Sequence, residues 1–539
     1  MSTGTTVRDA SFEVLRACGM LDIFANPGST EVPFLVDLPA DLRFVLALHE
    51  ASVVGMATGH ALATGQPAFV LLHSTPGLGN AVNALATARV NRAPLVVVTG
   101  QQDRRHLALE PFLAGRLDGL AGSYPVWVGQ PAIAQDVPAA IRRAWHEASY
   151  RRGPALVVVP MGDWLAPTAE GLGLAAPAAV RRPAAADETT AAEIAGILDG
   201  ARSPALVVGS EADDPDTWRA LTALVERLGC PVWQEAFGAR AGFPQDHPGF
   251  AGHLPAGRRG LRTTLAPYDV VLVVGAAAFR QYQYEPGPLI RPGTTVVVVS
   301  DDADTVHHSR AELGVVADPA GTCARLAQLV KRRESAFVAP VDQPEESSPG
   351  ADQPLRPTQV FTALAARLPA DVVLVEETPS SRPDLHRLMP ARAPRGFVSA
   401  AMGGLGFALP AAAGLRMGDP TRPVVAVVGD GSSLYGIHAL WSAAQYDCGV
   451  LFVVLSNGRY AVMDQLANAA GGKPPWPGFE DVDVAGLSIA LGCPAVRIVD
   501  LSSLVETLDE VVPSLARRRE PLLLDVRVSP DDNPGRRPS

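Results

Sequence analysis

Short apolar runs recur along this chain. Most stop at a glycine, an acid or a small polar residue and are followed by helix-like spacing. The runs fall at 69–72, 95–98, 155–159, 205–208, 270–274, 296–299, 372–375, 424–428, 450–455 and 522–526. Runs this short, rich in valine and leucine, predict strands covered on both faces, as in parallel sheets. Helical patterns intervene, for example over 320–331 and 437–446. Strand and helix alternate nearly throughout, which predicts an α/β fold of parallel sheets flanked by helices.

With 539 residues the chain is too long for one core, so several domains are expected. A Pro/Ala-rich stretch at 175–186 and a stretch rich in Pro, Glu, Gln and Ser at 340–357 read as linkers. The predicted organisation is a first domain over 1–175, a central domain over 187–335, a linker over 336–357, a third domain over 358–529 and a tail over 530–539. The first and third blocks share size and strand rhythm but no visible sequence identity.

A formal charge of −11 argues against nucleic acid and anionic membrane as partners. Five scattered cysteines without a Cys-x-x-Cys pair indicate neither zinc nor a disulfide framework. The expected setting is reducing and cytoplasmic. Residues 1–10 are polar and lack a signal-peptide core, and no apolar run is long enough to span a bilayer.

The densest chemical signal is Gly429-Asp430-Gly431 at the end of the 424–428 run, with Asn457-Gly458 after the next strand. In a βαβ unit these turns lie at the carboxyl ends of neighbouring strands, where open α/β sheets bind ligands. An acid and an amide so placed can ligate one hard cation, while glycines let the backbone approach a phosphate. The unit reads as a cradle for magnesium and a diphosphate. Three further polar groups sit at strand-to-helix junctions of the first block: Ser29 in Asn26-Pro27-Gly28-Ser29, Glu50 after 46–49, and His73 after 69–72. Three such groups on one sheet are expected to converge on one crevice.

The Gly-Asp-Gly to Asn spacing resembles the thiamine diphosphate signature. Asn-Pro-Gly-Ser at 26–29, Leu-Ala-Leu-x-Glu-Ala at 46–51, and Leu-His-Ser-x-x-Gly-x-Gly-Asn-Ala at 72–81 resemble the benzoylformate decarboxylases within that family. So do the segments 403–412 and 439–446, and the similarity runs from about residue 5 to 529. The resemblance implies pyrimidine-binding, central and diphosphate-binding domains, with thiamine diphosphate and Mg²⁺ (or Ca²⁺) as cofactors. Asp430, Asn457 and the carbonyl of Arg459 would bind the metal, and Gly429, Gly431, Ser432 and Tyr460 would line the cofactor. Glu50 would hold the pyrimidine ring nitrogen, Gly403 the amino group through its carbonyl, and Leu405 would wedge between the two rings. Ser29 and His73 would bind the substrate carboxylate and relay protons; a histidine beside a carboxylate suits that task. The implied reaction is decarboxylation of an aryl or bulky 2-oxo acid to an aldehyde through an enamine. Active sites between subunits would make a homodimer or homotetramer.

The pattern departs from the family at several positions. Tyr282 stands where benzoylformate decarboxylases carry a second active-site histidine. A phenol titrates near about 10 and shuttles protons poorly at neutral pH. Protonation of the enamine then falls to His73 or water, or the enamine attacks an aldehyde in a carboligation. Phe112, Leu113, Val462, Met463 and Leu466 are expected to form a mostly apolar substrate pocket. Ser399 replaces a family Phe there, and Pro379 a Thr. Two rival readings are a carboligase or C–C lyase acting on 2-hydroxy ketones, and a non-catalytic cofactor-binding subunit. The central block carries no positive signature for FAD, and His49 and the pair His307-His308 read as surface groups.

Overall fold

Valine-rich runs covered on both faces become the middle strands of three sheets, each of six strands and each wholly parallel. The computed structural model describes residues 5–168, 177–178, 184–334, 337–339 and 354–530. Most of the linkers expected at 175–186 and 336–357, and the tail beyond Pro530, lie outside the described residues.

The first sheet consists of β1 (Asp22–Asn26), β2 (Arg43–Leu46), β3 (Ala68–Leu72), β4 (Leu95–Gln101), β5 (Trp127–Gly129) and β6 (Pro154–Pro160), in the order β2-β1-β3-β4-β6-β5. The second consists of β7 (Pro204–Val208), β8 (Val232–Gln234), β9 (Phe250–His253), β10 (Val270–Val274), β11 (Thr295–Ser300) and β12 (Leu313–Val316), in the order β12-β11-β10-β7-β8-β9. The third consists of β13 (Val373–Glu377), β14 (Phe397–Ser399), β15 (Val424–Gly429), β16 (Leu451–Ser456), β17 (Ala495–Ile498) and β18 (Leu522–Arg527), in the order β14-β13-β15-β16-β18-β17. Sheets one and three therefore share one topology despite having no visible sequence repeat. The central sheet has the doubly wound dinucleotide-fold order.

The helical pattern at 437–446 shortens to Ala439–Gln445, preceded by a separate turn at Asp430–Ser433. The break lies where Gly436 packs on the backbone of Gly406: a Cβ on Gly436 would stand 3.0 Å from the Gly406 carbonyl oxygen.

The first and third domains share one core. Val53, Met56 and Ala57 of the helix Glu50–Thr64 are buried with Ala408, Leu409 and Ala412 of the helix Ala408–Gly418. Glycines permit this crossing. A Cβ on Gly59 would overlap the Ala411 carbonyl oxygen, and one on Gly414 the Met56 carbonyl oxygen. Asn91 and Arg92, at the end of the helix Ser74–Val90, tie the first domain to the third and to the central domain respectively. Asn91 Nδ2 donates to the Ser399 carbonyl at 2.9 Å, and the Ala401 amide donates back to Asn91 Oδ1 at 3.1 Å. Arg92 donates to Glu211 at 2.7 Å and to Asp301 at 2.5 Å. Where the central domain meets the third, His253 and His386 stack at 3.8 Å. Burial, reinforced by the Arg382 charge, pushes the His386 imidazole down to about 3, and burial lowers His253 as well.

Gly414→Ala should cost about 1–3 kcal/mol of unfolding free energy, because the added methyl meets backbone that cannot yield. Gly196→Ala, in the open face of the helix Glu188–Gly200, should instead stabilise by about 0.5–1 kcal/mol; denaturant midpoints compare the two. A histidine held neutral in the fold contributes stability above its unfolded pKa of about 6.5 that is lost as pH falls toward the folded value. Wild-type stability should therefore decline between about pH 6.5 and 3, with a smaller slope in His386→Phe, read from denaturant titrations at stepped pH.

Candidate active site

At the carboxyl edge of the first sheet, the strand order reverses between β1 and β3, which opens a crevice. Glu50 begins the helix after β2 and is buried. Its two carboxylate oxygens accept from Asn26 Nδ2 at 3.3 Å and from Asn80 Nδ2 at 3.0 Å. Asn26 ends β1 and Asn80 lies in the helix after β3, so two neighbouring elements aim at a carboxylate carried by a third. His49 does not merely pack on the surface. It caps the same helix, its Nδ1 accepting the Ala51 amide at 3.1 Å, and its ring lies 5.1 Å from that of His438. Burial pushes the His438 imidazole down to about 4, and His49 adds to the shift.

His73 follows β3. Its Nδ1 lies 3.0 Å from Glu31 Oε2 and 2.9 Å from Thr30 Oγ1. Glu31 is fully buried and went unnoticed in the sequence, where it passes for an ordinary acid in a helical first turn. Burial raises its pKa, opposed by donors from Thr30, Gly28 and His73. Ser29, one residue before Thr30, is exposed.

The second cluster lies on the third sheet, where β15 and β16 end side by side. Asp430 Oδ2 accepts the Asn457 amide at 2.8 Å and the Gly458 amide at 2.6 Å, while Oδ1 accepts the Gly431 amide at 2.8 Å. Burial raises the Asp430 pKa and these three amides oppose it. The Asp430 and Asn457 loops are thus in contact, as a shared cation requires. The available donors are all oxygen, a carboxylate, an amide and a backbone carbonyl, which suits Mg²⁺ or Ca²⁺ over softer metals. Gly431 needs its missing side chain, since a Cβ would stand 2.6 Å from the Tyr460 ring. Gly458 has φ +71°, a conformation that favours glycine.

Gly403 and Leu405 lie in the loop that leads into Ala408–Gly418. Glu377, at the end of β13, organises this loop by accepting the amides of Gly406 at 2.7 Å, Phe407 at 2.9 Å and Ala408 at 2.7 Å. Burial pushes the Glu377 carboxyl up to about 7, against the pull of those amides. Asn83 of the first domain presses on Gly404 and donates to the Leu405 carbonyl at 3.5 Å.

Gly403, Leu405, Gly429, Asp430, Gly431, Ser432, Asn457, Arg459 and Tyr460 line one cleft of about 2030 Å³ between the central and third domains. Tyr282, Val462, Met463 and Leu466 line it too, with Pro379. Glu50, Ser29 and His73 do not, and neither do Phe112 and Leu113. Phe112 is 88% exposed in the single chain. Ser399 is set apart from the cleft. It is buried in β14 with its Oγ 3.4 Å from the Gly238 carbonyl, facing a small separate cavity.

Three family models match this chain. The N-terminal TPP binding domain of thiamine pyrophosphate enzymes matches residues 5–120, their central domain 191–326, and their C-terminal TPP binding domain 380–526. A benzoylformate decarboxylase of Pseudomonas aeruginosa is 39% identical over 490 residues, covering 89% of this chain and 91% of that protein. Among solved structures, a thiamine diphosphate-dependent 4-hydroxybenzoylformate decarboxylase of Rhodococcus jostii RHA1 superposes with a TM-score of 0.93 at 34% identity, covering 98% of this chain and 100% of that one. A benzoylformate decarboxylase of Polynucleobacter necessarius gives a TM-score of 0.91 at 32% identity, covering 98% and 99%.

Proposed function

We propose that this chain, which belongs to the thiamine pyrophosphate enzyme family, removes carbon dioxide from an aryl or bulky 2-oxo acid and releases the aldehyde. The observation that carries this reading is full-length similarity to decarboxylases of benzoylformate and of 4-hydroxybenzoylformate, together with the charged groups at both strand-order reversals. In the net reaction the 2-oxo acid anion takes up one proton and yields aldehyde and carbon dioxide.

Thiamine diphosphate supplies, when bound, an electron sink for the pair left behind by departing carbon dioxide. The residues of the chain divide the remaining work. Asp430, Asn457 and the Arg459 carbonyl would hold Mg²⁺ or Ca²⁺ against the diphosphate, with Gly429, Gly431, Ser432 and Tyr460 around it. Gly403 would accept the cofactor amino group through its carbonyl, and Leu405 would pack between the rings. Glu50 would hold the pyrimidine nitrogen. Ser29 and His73 would orient the substrate carboxylate and handle the proton. Tyr282 would offer a hydrogen bond at the cleft wall.

In one chain Glu50, Ser29 and His73 lie outside the cleft that contains Gly403, Leu405 and the groups expected at the diphosphate end. We therefore assign the working unit to at least a homodimer, with the first domain of one copy facing the third domain of the other. A second copy would also cover Phe112 and bring Phe112 and Leu113 to Val462, Met463 and Leu466. The three domains would extend over 1–175, 187–335 and 358–529. The five cysteines are free and buried, which suits a reducing, cytoplasmic setting. No helix among the described residues is long and apolar enough to cross a membrane.

The test is a panel of aryl and branched 2-oxo acids incubated with the purified protein, thiamine diphosphate and Mg²⁺, with aldehydes, acyloins and carbon dioxide measured. Carbon dioxide with stoichiometric aldehyde is expected. Acyloin as the main product would move the assignment to carboligation, and no carbon dioxide from any acid would remove it. Glu50→Gln should slow exchange of the cofactor C2 proton with deuterium by about 10²-fold or more without altering the circular dichroism of the fold. Asp430→Ala should abolish the dependence of cofactor affinity on added Mg²⁺, measured by titration calorimetry with and without the ion.

A further inference from the structure

The mechanism above uses His73 but leaves a buried acid beside it without a task. Glu31 has no exposed surface, and its side chain lies where β1 and β4 end. Two glycines make its place. A Cβ on Gly100 would overlap both the Glu31 carboxylate and the Thr30 hydroxyl, and one on Gly28 would overlap the His73 ring. The pair is therefore built into the backbone: Glu31 and Thr30 from the loop after β1 meet His73 from the end of β3, across the strand-order reversal.

With Glu31 ionised, the hydrogen bonds around this pair have one self-consistent direction. Thr30 Oγ1 donates its proton to Glu31, so toward His73 it can only accept. The Gly28 amide donates to Glu31 Oε2 at 2.9 Å. His73 Nδ1 stands 2.9 Å from Thr30 Oγ1 and 3.0 Å from Glu31 Oε2. Both partners of Nδ1 thus call for a proton on that nitrogen, which leaves Nε2 as the ring nitrogen free to accept or deliver one.

We propose that Glu31 is a positioning residue that holds His73 as the Nδ1–H tautomer, with Nε2 kept as its proton-handling atom. Its consequence for turnover rests on the decarboxylase reading; the tautomer itself does not. The arrangement is of the kind in which an acid orients a histidine and sets which nitrogen does chemistry. It bears more weight here because Tyr282 cannot take over as a second imidazole.

Nitrogen NMR of the full-length, cofactor-free protein labelled with ¹⁵N-histidine tests this directly, with His73→Asn used to assign the signal. The wild type should show His73 with Nδ1 protonated and Nε2 bare at alkaline pH. Glu31→Gln should give a tautomer mixture, because a Gln amide can accept from or donate to Nδ1. Thr30→Val, which keeps the carboxylate, should retain the wild-type tautomer. In turnover with a 2-oxo acid, Glu31→Gln should lower kcat by about 10²-fold with cofactor affinity unchanged. An Nε2–H signal in the wild type would overturn the proposal without any variant. So would a Glu31→Gln protein with the wild-type spectrum, or with wild-type kcat. Absence of decarboxylation in the wild type would instead strike the reading of the reaction and leave the spectral result standing.

Discussion

The relation between the first and third sheets of one chain hangs on the crossing of two helices, Glu50–Thr64 and Ala408–Gly418. Backbone meets backbone there because Gly59 and Gly414 carry no side chain, while Gly55 receives Pro410 and Gly418 receives Ala63 and His60. The sequence of these contacts shows the two helices running in the same sense. Each begins at a functional end: the first with Glu50 itself, the second just after the Gly403–Phe407 loop. A steric constraint between glycines thus fixes an acid of one sheet relative to a loop of another. The polar contacts are secondary to this. Asn83 on Gly404 and His438 on Ser52, at 2.8 Å from its Oγ, adjust a relation that packing has already set.

Two sheets of the same strand order make this economical. In each, the reversal lies between the first and third strands of the sheet, and in each the polar groups come from the loops that leave those strands or their neighbours. The first sheet offers carboxylates and imidazole; the third offers an acid surrounded by glycines and amides. The difference lies in loop chemistry alone, as expected when a fold supplies position and the loops supply function. The central sheet follows another rule. Its reversal lies between β7 and β10. Glu211 stands there, paired with Arg92 from the first domain and accepting from Ser300 Oγ at 2.6 Å. A Cβ on Gly275 would stand 2.7 Å from the Ala212 amide nitrogen. The crevice where a doubly wound sheet would take a nucleotide serves here as a junction between domains.

How much of this could be read in the sequence depends on burial pattern. Middle strands such as β3, β7, β10 and β15 are buried almost residue for residue, so they appear as apolar runs. The edge strands β5, β9, β12 and β17 are half exposed or mixed, and none was visible as a run. Asp430 and Asn457 were legible because glycines bracket them at strand ends. Glu50 and His73 were legible from position and from the resemblance. Ser399, expected in the substrate pocket, faces the Gly238 carbonyl in a separate small cavity of the single chain, where β14 is pinned by Asn91 on one side and by the Ala239 carbonyl on the other.

Glu31 shows where a linear pattern fails in principle. An acid two residues after a Gly-Ser turn carries the same local signature whether it caps a helix in water or lies fully buried. What decides is Gly100, distant in sequence on β4, whose lack of a side chain leaves the space that the carboxylate occupies. A buried acid is costly unless its oxygens are satisfied, and here a hydroxyl, an amide and an imidazole satisfy them. On the role proposed for His73, that cost falls where the histidine needs its orientation and its tautomer fixed. The energetic expense and the chemical requirement therefore coincide at the same few atoms, which is the physical reason to regard the pair as part of the working site and not as a packing accident.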